Sequence, residues 1–93
     1  MKRTLNLILA AAGLLVSFHS TAGKDITEYQ VPPAVLTAFK SAYPNATDVE
    51  YEEDVKNGVK VYEVEFKVND VKHEVDYSVE GKVLKEERAD KDD

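Results

Sequence analysis

The chain contains no cysteine. That excludes a disulfide framework, a lipid-bearing cysteine of the lipoprotein kind, thiolate zinc sites and a catalytic thiol. Long hydrophobic runs are missing too. The main apolar stretch, Leu5 to Val16, is broken by Asn6 and Gly13, and a spanning helix needs about 20 apolar residues. Histidine is scarce, with only His19 and His73. There is no glycine-rich phosphate loop, no serine elbow and no EF-hand loop. Basic residues are in the minority. Twelve Lys+Arg face 18 Asp+Glu, for a net charge of −6, a balance that disfavours nucleic acid and anionic membranes.

What is present begins with an export signal. Lys2 and Arg3 form a positive start, the apolar run follows, and Ser20-Thr21-Ala22 supplies the small-x-small pattern of a cleavage site. Residues 1–22 are therefore expected to be a cleavable signal peptide, cut after Ala22, with no stable membrane insertion afterwards. The expected location is periplasmic or secreted. The remaining chain is long enough for one domain. A domain of that size buries only about 60% of its unfolded surface, so its Val, Tyr, Phe and Leu side chains must form the core unaided by disulfides.

Residues 23–30 are polar and read as a flexible lead or a weak first strand. Val31-Pro32-Pro33 opens a helix, because proline is tolerated where a helix's first N–H groups have no partner. Val35, Leu36, Phe39, Ala42 and Tyr43 recur at helical spacing, and Pro44 stops the helix. From Asp48 the period changes to two. Val49 and Tyr51 alternate with Asp48, Glu50 and Glu52. Asn57-Gly58 is a hairpin signal. The run Val59 to Val68 puts Tyr62, Val64, Phe66 and Val68 on one face, against Glu63, Glu65 and Lys67. After Asn69-Asp70, Val71, His73, Val75, Tyr77 and Val79 alternate with Lys72, Glu74, Asp76 and Ser78. Glu80-Gly81 turns the chain into Val83-Leu84. Residues 87–93 read as a charged, disordered tail. The expected fold class is α+β, one N-terminal helix packed on a four-stranded antiparallel meander.

Several of these segments resemble a family. Val31-Pro32-Pro33-Ala34-Val35-Leu36-Thr37-Ala38-Phe39 resembles the helix opening of PepSY-like domains, a group also described as resembling β-lactamase-inhibitor folds. Tyr43 to Glu52 resembles its turn and first strand, with Tyr51 where the family often has Trp. Tyr62-Glu63-Val64-Glu65-Phe66 and Gly81-Lys82-Val83-Leu84 resemble later strands. The resemblance covers residues 31–86. It implies a small exported bacterial protein of the kind common in Bacteroidetes-type organisms, with a helix on an antiparallel sheet. It implies no catalytic residues. Many members carry two copies in tandem, whereas this chain has room for one, so a paired surface would need a homodimer.

The residues themselves point away from catalysis. His19 leaves with the signal peptide, and His73 has no nucleophile or second base in its pattern. No enzyme activity and no cofactor are expected. Glu50, Glu52, Glu63, Glu65, Glu74 and Asp76 share the face opposite the apolar one and are the candidate binding surface. Such alternation is also what any solvated strand shows, here partly balanced by Lys60, Lys67, Lys72 and Lys82. The leading expectation is a binding or inhibitor-like module that meets an envelope protein with a basic patch, through this face or an edge strand. An edge strand also allows a homodimer. The alternative is a protein that binds or buffers divalent cations such as calcium.

Overall fold

A computed structural model describes residues 23–89. The signal-peptide assignment, residues 1–22, lies outside the described residues, as do residues 90–93. The described chain forms β1 (Lys24–Ile26), a 3-10 turn (Glu28–Gln30), α1 (Pro33–Ala42), β2 (Thr47–Lys56), β3 (Val59–Val68), β4 (Val71–Tyr77) and β5 (Val83–Arg88). The strands make one antiparallel sheet in the order β1-β2-β3-β4-β5.

The α+β class and the single helix on an antiparallel sheet are as expected, but the strand count is five. The extra strand is β1, inside the segment read as a flexible lead or a weak first strand. It pairs Lys24, Asp25 and Ile26 with Glu53, Glu52 and Tyr51. The helix therefore follows a strand. At the other end, β5 runs through Arg88, two residues into the segment read as a tail.

Turn chemistry explains the register. Asn57 and Gly58 both have positive φ (53° and 79°), as do Asn69 and Asp70 (52° and 67°). Two consecutive positive φ values give the type I′ turn, whose twist matches that of the flanking strands. Lys56 thus opposes Val59, and Val68 opposes Val71. From there, strict alternation sends every side chain to a fixed face. The pairing of β2 with β3 slips between Thr47 and Glu50, beside Asp48 with φ 52°.

Helix α1 starts with Pro32 as its N-cap and Pro33 inside its first turn, and the Tyr43 N–H closes it on the Phe39 carbonyl at 2.9 Å. Its inner face carries Val35 and Phe39. They pack with Val31 onto Tyr62, Val64, Phe66, Val75 and Tyr77. Phe39 meets the Phe66 ring edge-on at 4.9 Å and the Tyr51 ring at 6.3 Å. Each fully buried side chain of this kind contributes about 1.5–3 kcal/mol. Lys40 ties the helix to the 3-10 turn through Glu28 at 2.7 Å. The connection from β4 to β5 also touches the helix. Gly81 has φ 86°, and a Cβ there would lie 2.5 Å from the Ala34 carbonyl oxygen.

Candidate functional site

The helix covers one face of the sheet. On the other face the described chain has no second layer. The register lines that bare face with carboxylates. Asp25, Glu52, Glu63, Asp76 and Lys85 stand opposite one another across all five strands. One step along, Glu50, Glu65, Glu74 and Glu87 do the same across four. Neighbouring strands are about 4.8 Å apart, and like charges set directly opposite repel.

The six residues singled out from sequence do share this face, but they divide into two groups. Glu50 is exposed and Glu65 half-buried, and both line a groove at the slipped end of β2 with Lys67 and Lys72. Glu52, Glu63, Glu74 and Asp76 occupy the sheet centre, and there a solvated face is not what forms. Glu63 is only 1% exposed and Asp76 only 4%. Glu52 and Glu74 are half-buried. One carboxylate oxygen of each of Glu63, Glu74 and Asp76 lies within 4.8 Å of the other two.

Lys56 is the cation that meets this group. Its Nζ lies 3.0 Å from Asp76 Oδ2 and 3.6 Å from Glu63 Oε2. Sequence reasoning did not choose it. Lys60, which was expected to balance the face, instead pairs with Glu53 at 2.6 Å, and Lys67 pairs with Asp48 at 3.5 Å. The hairpin signal at Asn57-Gly58 was read, but its consequence for Lys56 was not. A two-residue turn at Asn57-Gly58 extends β2 to Lys56, on the same face as Glu52.

One lysine does not satisfy four carboxylates. Glu52 Oε1, Glu63 Oε1, Glu74 Oε1 and Asp76 Oδ1 are out of solvent without an N–H or hydroxyl donor. A hydrogen bond between two such carboxylate oxygens needs a proton on one of them. Burial, then the neighbouring Glu63, push Glu74 up to about 9, and the same two causes push Glu52 up to about 7. Burial also raises Asp76, against the pull of Lys56. Glu63 goes the other way. Burial works to raise it, but hydrogen bonding with Glu74 and the charge of Lys56 outweigh that and hold it below the usual range. Burial works to lower Lys56, and Asp76 and Glu63 together reverse this. Closely spaced carboxylates cannot all ionise, so they share protons. Glu63, held low, is favoured as the central anion, and the shared protons shift toward Glu52 and Glu74, which are raised most.

Groups that sequence reasoning set aside as unsuited to catalysis have structural partners. The His73 ring stacks on Phe66 at 5.1 Å and faces Tyr43 at 5.8 Å. Burial, then Arg88, lower its pKa and favour the neutral ring. Ser78 donates its hydroxyl to Glu80 at 3.3 Å and accepts the Lys82 N–H at 3.1 Å. Chemically, the carboxylate face is suited to holding positive charge. Comparison of the chain with protein-family models, with curated proteins and with solved structures finds no match.

Proposed function

We propose that this protein is an exported, non-catalytic binding module that presents the acidic face of its sheet to a basic surface on an envelope protein. The observation that carries this is the register: two cross-strand rows of carboxylates on a face with no covering layer. Complementary charge steers such encounters and selects the partner. The rim, Glu50 and Glu65, does the docking, because it reaches solvent. The Lys2-Arg3 start, the apolar run and Ser20-Thr21-Ala22 support export. The PepSY-like resemblance of residues 31–86 suits such a module and says nothing about the partner.

The test is cross-linking capture from envelope extract, comparing the wild type with a Glu50→Lys/Glu65→Lys double variant. Glu63 is unsuited to charge reversal because a lysine there would be buried. A single partner captured reproducibly by the wild type, and lost both in the double variant and at high salt, is the expected result. Equal capture by the double variant, with an unchanged melting curve, removes this face from the mechanism. Capture of the chain by itself alone favours pairing through an edge strand.

A further inference from the structure

The buried centre of the acidic face calls for a different ligand from its rim. Glu63 and Asp76 are direct cross-strand neighbours on β3 and β4. Glu74 lies two residues before Asp76, on the same face of β4. This places three carboxylates side by side on two paired strands, whose backbone holds them in position. One oxygen from each lies within 4.8 Å of the others.

Burial is a second and separate observation. Glu63 and Asp76 are more than nine-tenths buried, and each has a carboxylate oxygen out of solvent without a donor. An ionised carboxylate withdrawn from water is costly unless something positive replaces the water. Lys56 supplies one positive charge, from the side, through the other oxygens of Glu63 and Asp76. Ionised, as metal ligands must be, the three carboxylates with Lys56 would carry two net negative charges; one divalent cation cancels these, and the acid proton held among them leaves as the ion enters.

We propose that Glu63, Glu74 and Asp76 form a binding site for a hard divalent cation of calcium's size, with Glu52 beside it on β2. Calcium accepts six to eight oxygens at about 2.3–2.6 Å in flexible geometry. Oxygens on opposite sides of the ion are then about 4.6–5.2 Å apart. The three carboxylate oxygens fit within that span without contraction of the sheet. Magnesium brings its ligands to about 2.0–2.1 Å in a strict octahedron, and gives up its water reluctantly. A sheet-mounted trio meets that demand poorly. Glu74 is the least buried of the three. The site does not depend on the docking function: the cation uses the sheet centre, and docking uses Glu50 and Glu65.

The test is isothermal calorimetry on the chelator-stripped protein at fixed pH, with calcium chloride and magnesium chloride. One calcium per chain is expected, with a dissociation constant on the order of 10⁻⁴ M, as in extracellular modules. At a hundredfold excess over that constant, the melting temperature should rise by about 10–20 °C. Glu63→Gln and Asp76→Asn keep side-chain shape and remove a ligand charge, and each should weaken calcium at least tenfold. Should either fail to fold, Glu74→Gln, at the less buried edge, replaces it. Lys56→Gln removes the internal competitor and should bind calcium more tightly, an effect that loss of a mere structural contact does not give. Glu50→Gln should bind as the wild type does. The proposal is overturned by the absence of both heat and melting shift at 10 mM calcium (about a hundredfold over that constant), by wild-type affinity in Glu63→Gln or Glu74→Gln, or by magnesium binding as tightly as calcium.

Discussion

Gly81 offers a sharp test of how the sheet and helix are joined. Replacing it with alanine incurs two costs that the structure separates. The first is backbone strain. Gly81 has φ 86°, and an L-residue in that region loses about 1–2 kcal/mol. The second is overlap. The new Cβ would lie 2.5 Å from the Ala34 carbonyl oxygen and 3.0 Å from its carbon, both backbone atoms in the first turn of α1. No side chain can swing aside, so the helix start must move. Val35 is fully buried and Val31 nearly so, and a retreat of even half an ångström forfeits about a quarter of the dispersion energy at such contacts. Overpacking of this kind costs about 1–3 kcal/mol. The total for Gly81→Ala is about 2–5 kcal/mol. Gly58 is the control, since it has φ 79° and nothing within 4 Å of an added Cβ. Gly58→Ala therefore pays the backbone term alone, about 1–2 kcal/mol. Urea denaturation followed by circular dichroism measures both. The expected excess for Gly81→Ala is about 1–3 kcal/mol, or roughly 4–20 °C in melting temperature for a domain this small. Asparagine sharpens the contrast, because it tolerates positive φ but carries the same Cβ. Gly58→Asn should be nearly silent, while Gly81→Asn should stay costly. Equal losses at the two glycines would refute the contact between the β4–β5 turn and the helix.

Two further outcomes follow from the core and from the carboxylates. Phe39→Ala should lower stability by about 3–5 kcal/mol in urea denaturation, because Phe39 is buried against Phe66 and Tyr51; a loss under 1 kcal/mol would mean that the helix does not sit on this face. In chelator, stability should fall as pH rises from about 5 to 9. Glu52 and Glu74 are raised in the folded chain, to about 7 and about 9, so the folded state holds more protons than the unfolded one across that window. Their contribution is full below the unfolded carboxyl value and is lost as pH climbs through the folded ones. Asp76 adds in the same direction, while Glu63, lowered, opposes it. The other charged groups in their two rows are Asp25 on β1, Glu50 on β2, Glu65 on β3, and Lys85 and Glu87 on β5, with Lys56 reaching in from β2. Thermal melts at pH 5.5 and 8.5 measure this, and a higher melting temperature at 8.5 would contradict the sharing of protons.

Much of the fold is legible because two signals agree along most of the chain. In β3, the seven residues from Tyr62 to Val68 alternate strictly, and the I′ turns at either end of the strand set its bounds. The helix announces itself by prolines at both ends and apolar residues at helical spacing. β1 is illegible for a physical reason. Three residues cannot display a period, and Lys24–Ile26 becomes a strand only because the edge of β2 accepts it. The far end of β2, Glu53 to Lys56, looks like a charged loop. It is a strand because the turn at Asn57-Gly58 forces it to pair with Val59 to Tyr62. The candidate site follows the same division. Alternation says which face a residue points to, and it placed all six acidic residues correctly. It does not say how deep they lie. Burial of Glu63 depends on its strand being the middle one of five, and the role of Lys56 depends on its diagonal reach across β3 to Asp76. Both are properties of register between strands, which no single segment records.

The bare face poses a problem that its charge resolves only in part. A sheet with one helix buries one side, and an apolar second side would drive aggregation or demand another layer. Carboxylates keep that side from acting as a hydrophobic interface. Yet the middle strand of a five-stranded sheet is shielded by its neighbours, so acidic side chains there lose water without gaining enough donors. Lys56 and shared protons relieve only some of the repulsion. A residue set chosen for stability alone would place Val or Thr at Glu63, as the same face of β3 does two residues earlier with Val61. Keeping an anion there is the kind of local sacrifice that functional sites make. On the proposed reading, a positive ligand removes the remaining repulsion, so binding and folding stability rise together.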